Sequence, residues 1–167
     1  MTWAQTSESH GQYHPGQPGQ APRIEMSSEG PTPRLTFLHE VGHLLDDFAG
    51  GFAGFASQNE HSVLAPVLQD LRRTDACARL QTVARDPATR FRERAYVSGY
   101  LLSDVELWAR AYAQYIVERG GNDALRGEIN VLRNEPGYEQ HRHWLSDYFA
   151  PVADALDAAL QRLGWKQ

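Results

Sequence analysis

The chain has 167 residues, enough for one domain with its own core, and its 41% hydrophobic and 22% charged residues are ordinary for a globular protein. Its 16 basic and 21 acidic side chains give a formal net charge of −5, which speaks against nucleic acid as a partner, and no apolar run approaches the ~20 residues of a membrane span. The one cysteine, Cys77, excludes an internal disulfide framework and a cysteine-built zinc site.

Residues 1–10 read as a loosely ordered N-terminus and 11–167 as a single domain. Met1 to Pro18 is polar and lacks a basic start followed by an apolar core, so it does not read as a signal peptide. The compartment stays open, a domain of a larger secreted or injected protein being one reading. Two short extended pieces, Gln12–His14 and Arg23–Met26, flank a glycine- and proline-rich turn region and predict a small hairpin.

A helix is predicted next. Thr32 can cap it, Pro33 fits its first turn, and Leu35, Leu38, Val41, Leu45 and Phe48 recur at helical spacing. Gly50 and Gly51 end it. Residues 51–59 read as a flexible connection, and helices follow at 61–73 and 75–85. The basic residues between Arg72 and Arg94 are interleaved with Asp75, Asp86 and Glu93, the pattern of a solvated helical surface. The stretch 90–102 has no clear assignment. A helix over 104–118, with Ser103 as cap, carries Ala109, Ala111 and Ala113, which permit close approach of a neighbouring helix. A last helical region covers 139–163, interrupted or restarted at Pro151. The predicted fold is a mostly helical α+β domain with a small N-terminal sheet.

The first helix carries His39-Glu40-Val41-Gly42-His43. Histidines four apart on a helix lie one turn apart on one face, so both imidazoles can reach one metal ion. Zinc accepts such nitrogens, and Glu40 is spaced to take a proton from a water held at the metal. With 7 histidines in the chain, chance gives roughly 0.02 such matches, and the match falls inside the amphipathic helix that the chemistry requires. A structural pair of hydrogen-bonded histidines is the bland alternative.

A catalytic zinc site needs a third protein ligand. The arrangement with glycine three and histidine six residues after the second histidine is absent, because Asp46 and Ala49 stand there. On pattern alone Glu106 is a candidate, yet Ser103-x-x-Glu106 is equally a capping box. Glu60 lies 17 residues after His43, near the spacing of thermolysin-like enzymes, and His61 competes with it. Asp46 or Asp47 can accept the free ring N–H of a ligand histidine. His10 and His14, in the loose N-terminus, and His141 and His143, two apart, need no function.

The run from His39 to Gly50 resembles the zinc helix of the anthrax lethal factor-like metallopeptidases, a group that includes bacterial Pro-Pro endopeptidases. Glu106-Leu107-Trp108-Ala109-Arg110-Ala111-Tyr112-Ala113 is similar to that family's second metal helix, and also to peptidase-like domains of large polyvalent phage and mobile-element proteins. The resemblance covers residues 31–118 with two specific motifs. It implies a compact zincin-like domain of the gluzincin type, with Zn2+ held by His39, His43 and Glu106. It further implies a peptide or protein substrate laid along an edge strand near residues 23–27. In the family a tyrosine seven residues before the ligand glutamate stabilises the oxyanion. Here that position is Gly99, with Tyr100 six before and Tyr96 ten before; Tyr100 is the expected donor. The expected activity is a zinc-dependent endopeptidase in which Glu40 activates the water. The alternative is a catalytically silent, peptidase-like structural or interaction module of a larger phage or mobile-element protein.

Overall fold

A computed structural model describes residues 10–27, 29–51, 54–136 and 142–166. The expectations for residues 1–9, and for a helical start at 139–141, lie outside the described residues. Two strands come first, β1 (Gly11–His14) and β2 (Arg23–Met26). They pair antiparallel, Gly11 opposite Met26 and His14 opposite Arg23. Ser27 N–H donates to the His10 carbonyl at 2.9 Å. The alternation of an antiparallel ladder then makes Gln12–Glu25 and His14–Arg23 the hydrogen-bonded pairs, and Gly11 and Tyr13 turn their N–H and C=O groups outward. His14, expected in a loose terminus, belongs to this sheet, where Nε2 lies 3.2 Å from Glu25.

Seven helices follow among the described residues: α1 (Pro33–Gly50), α2 (Ala65–Arg72), α3 (Asp75–Arg85), α4 (Phe91–Tyr96), α5 (Asp104–Gly120), α6 (Asp123–Arg133) and α7 (Ser146–Arg162). The arrangement is α+β and mostly helical. No helix among the described residues is long and apolar enough to cross a membrane.

Pro33 opens α1 as expected, but Thr32 makes no side-chain cap bond. The Leu35 N–H is taken by Glu128 Oε2 of α6 at 2.8 Å, and Arg34 pairs with the other oxygen at 3.0 Å. A carboxylate is a stronger acceptor at a helix N-terminus than a hydroxyl, so it displaces the local cap. Helix α2 begins at Ala65 rather than 61, because Pro66 cannot follow an earlier helical turn without meeting the carbonyl four residues back. The unassigned stretch 90–102 is α4 running into a π turn, Val97–Leu101, closed by Leu102 N–H on the Val97 carbonyl at 3.0 Å.

Helix α6 has no counterpart among the predicted elements. Asn122 caps it through Ala124 and Leu125 N–H groups, and Leu125, Ile129 and Leu132 form its apolar face. Helix α7 runs unbroken through Pro151, which lies close enough to its start to cost only an early hydrogen bond.

The main core joins α2, α5 and α7 around Trp108, Leu71, Trp144, Phe149 and Leu156. A second cluster, Leu35, Ala113, Val117, Leu125 and Ile129, ties α1 to α5 and α6. Leu80, Val97 and Leu101 seat the π turn on α3.

Candidate metal centre

Helices α1 and α5 cross at Gly42. A β-carbon there would lie 2.8 Å from Ala109 Cα and 3.1 Å from the Ala109 carbonyl oxygen. Of the small residues anticipated on α5, Ala109 serves this contact, while Ala111 and Ala113 pack in the main and second apolar clusters. Trp108 Nε1 donates to the Gly42 carbonyl at 2.8 Å and fixes the crossing along the axis. One turn from the crossing, both His39 and His43 face Glu106 of α5.

The three side chains converge. His39 Nε2 lies 3.1 Å from His43 Nε2. Glu106 approaches the two nitrogens with one oxygen each, at 3.3 Å and 3.3 Å. Among the described residues this is the one group of three ligand types gathered closely enough for a metal ion. Ligand atoms about 2.0–2.1 Å from a tetrahedral zinc stand roughly 3.3–3.4 Å from one another. The nitrogen pair and each nitrogen–oxygen pair stand close to that spacing, the two oxygen contacts falling on different atoms of the Glu106 carboxylate, and two imidazoles with one carboxylate are a donor set that zinc accepts. Ser103 makes no side-chain cap bond, which leaves Glu106 free of the capping-box role. Glu60 and His61 are not brought to the site; their side chains are 88% and 86% exposed and face each other at 3.6 Å.

Burial pushes the Glu106 carboxyl upward, but His39 and His43 outweigh it and hold it well below the usual carboxylate range. Burial likewise opposes charge on His43, and Glu106 reverses that. Glu40 is buried on the neighbouring face of α1, close enough to His43 to favour the ring's charged form. It packs beneath β1: a β-carbon on Gly11 would lie 3.1 Å from Glu40 Cγ, 3.2 Å from Oε1 and 2.7 Å from Thr36 Cγ2.

Neither Asp46 nor Asp47 hydrogen-bonds His43, although the Asp46 charge favours the charged form of that ring. Asp46 accepts from Ser57 N–H at 2.7 Å and Ser57 Oγ at 2.5 Å, which pins the 3-10 turn Ala56–Gln58 to α1. Asp47 accepts from the Tyr13 hydroxyl at 2.6 Å and pins β1. Their side chains are drawn to these partners, and His43 Nδ1 has no hydrogen-bond partner.

Tyr100 comes to the site from the π turn. Its ring stacks on Tyr96 at 5.1 Å, and its hydroxyl lies beside Glu106. The residue is 39% exposed, yet burial of the hydroxyl, followed by the Glu106 charge, raises its pKa and keeps it protonated. Two polar residues with no predicted role also lie here. Arg110, one turn after Glu106, is buried, and His143 is buried with Nδ1 unpartnered. Arg110 was findable as a charge on the apolar face of α5; His143 carries no local signal.

No protein-family profile, curated protein or solved structure matches the chain.

The strand expected to receive a peptide, residues 23–27, contains β2 (Arg23–Met26). Met26 lines an apolar recess with Pro33, Phe37 and Leu38, on the flank of α1 opposite His39 and His43. The strand over Glu40 is β1.

Proposed function

We propose that the chain is a zinc-dependent peptidase with a zincin-like fold of the gluzincin type. The observation that carries this reading is the convergence of His39, His43 and Glu106, with the two Nε2 atoms 3.1 Å apart and a different oxygen of the carboxylate 3.3 Å from each, bordered by Glu40 and Tyr100. Zinc, when bound, supplies Lewis acidity and a water of pKa near ~7. The remaining work falls to the chain. Glu40 takes the proton of the attacking water and passes it to the leaving amine. Tyr100, protonated, donates a hydrogen bond to the oxyanion of the tetrahedral intermediate. An extended peptide pairs with the outward N–H and C=O groups of Gly11 and Tyr13, the β1 edge, rather than with 23–27. This assignment rests on the packing of Gly11 against Glu40.

The test is metal analysis of the purified chain, then assay on a mixed peptide library with Glu40→Gln as control. One zinc per chain, cleavage by the wild type and none by Glu40→Gln is the expected result. Zinc without cleavage of any peptide supports a silent peptidase-like module; full cleavage by Glu40→Gln rejects the mechanism.

A further inference from the structure

We propose that Arg110 is a positioning residue for Tyr100: its guanidinium locks the turn that carries the tyrosine against the helix that carries Glu106. The consequence for catalysis rests on the peptidase reading above, whereas the positioning itself does not.

Arg110 is 2% exposed. Its three nitrogens each donate to a backbone carbonyl, and the three carbonyls belong to three separate segments. Nε reaches Glu106 of its own helix at 3.2 Å. Nη1 reaches Arg142, in the segment before α7, at 2.7 Å. Nη2 reaches Leu101, the residue after Tyr100. Among the described residues no carboxylate hydrogen-bonds the guanidinium; the Glu106 charge and the Trp144 ring, 5.7 Å away, favour its charged form from beyond hydrogen-bond contact. Burying a cation without a paired carboxylate is costly, and an apolar side chain of similar volume serves stability as well or better. The planar fork explains the choice: only arginine spans three acceptors in fixed directions.

The Leu101 bond completes the π turn. The Val97 carbonyl is taken by Leu102 N–H and that of Tyr100 by Ser103 N–H. Leu101 carbonyl, buried with its residue, depends on Arg110. Tyr100 is then held on one side by the stack on Tyr96 and on the other by this anchor. Without the fork, Leu101 carbonyl is left unpaired in the core, and the turn must rotate to find water. Tyr100 moves with it, away from Glu106.

The experiment labels tyrosine Cζ with 13C in the full chain and assigns Tyr100 by its disappearance in Tyr100→Phe. Arg110→Lys keeps the charge but not the fork, and Arg110→Gln serves where the lysine variant does not fold. The expected result is a shift of the Tyr100 resonance toward free tyrosine, accompanied only by its stacking partner Tyr96. An unmoved Tyr100 resonance overturns the proposal, and so does collapse of all tyrosine signals together in both variants, which makes the role one of general stability. The second readout is turnover on a cleaved peptide. Arg110→Lys lowers kcat at least about tenfold with KM and zinc content unchanged, and adds little in the Tyr100→Phe background. Additive losses overturn the proposal. A chain that cleaves no peptide sinks the peptidase reading while the resonance still decides this one.

Discussion

Ala109 Cα occupies the place where any side chain on Gly42 would begin, 2.8 Å from an ideal β-carbon. The helices that carry the two histidines and Glu106 therefore touch backbone to backbone. Gly42→Ala has no flexible neighbour to displace and must push α5 away. Overpacking of this kind costs about 1–3 kcal/mol. The expected outcome is a lower Tm and zinc affinity weakened at least about tenfold by chelator competition; unchanged affinity would mean that the crossing does not set the ligand spacing.

Gly11 makes a separate demand. A methyl there meets Thr36 Cγ2 at 2.7 Å and the Glu40 side chain at 3.1 Å. Gly11→Ala should displace Glu40 while leaving both histidines and Glu106 in place. Zinc stoichiometry stays at the wild-type value and kcat falls by at least about tenfold, since a general base off by a fraction of an ångström transfers protons poorly. Loss of zinc together with activity would show that the strand supports the ligands instead.

The third ligand can be checked without any substrate. Glu106→Ala should abolish stoichiometric zinc binding, measured by metal analysis after dialysis, because two histidines alone do not make a tight site. Glu60→Ala should bind zinc as the wild type does. The reverse pattern would move the ligand to the 59–61 turn.

Asp46 predicts how the metal-free protein responds to pH. Burial, opposed by the Ser57 bonds, pushes its carboxyl up from 3.8 to about 6. The folded state therefore holds this proton more tightly than the unfolded chain, and stability falls as pH rises through that window. The difference corresponds to roughly 3 kcal/mol. Asp46→Asn keeps the bond from Ser57 N–H, reverses the other so that its amide donates to Ser57 Oγ, and has no charge to desolvate. Urea unfolding at pH 4 and pH 7 should show the wild type losing stability across the window and Asp46→Asn losing less; parallel changes would place the cause elsewhere.

Glu128 closes the N-terminus of α1 from another helix, through Leu35 N–H at 2.8 Å. Glu128→Ala strands that N–H, at a cost of about 1–2 kcal/mol. Thermal unfolding should show a Tm lower by several degrees, with Glu128→Gln intermediate because its amide oxygen still accepts.

The span of α1 was legible because its signals are local: Pro33 at the start, glycines at the end, and histidines one turn apart. Its apolar spacing did not mark the buried face, which is Leu35, Glu40, Gly42, His43 and Asp46, and leaves Phe48 exposed. Glu106 was legible only up to an ambiguity, since Ser103-x-x-Glu106 satisfies a local cap and a distant metal site equally well. The cap of α1 was misread for the complementary reason. Thr32 is the local candidate, but the acceptor comes from Glu128, 93 positions from Leu35. The π turn was unreadable because its five-residue hydrogen bond has no periodic signature; Tyr100, which it carries to Glu106, was expected there only through the family resemblance. Asp46 and Asp47 called for a partner, and the partners proved to be Ser57 and Tyr13 rather than the histidines. Residues 23–27 were read correctly as a strand; which strand overlies Glu40 depended on packing that alternation cannot encode.

The sheet beside the site has only two strands of four residues. On β1 two residues, Gly11 and Tyr13, turn their N–H and C=O groups away from β2, hence at most four main-chain hydrogen bonds to a guest. At a net of about 0.5–1.5 kcal/mol each, such a rail registers a peptide without retaining it. A protease built on it would dwell briefly on most chains it meets. Its choice of target would fall to side chains that grip outside the rail, or to tethering that brings one particular protein within reach.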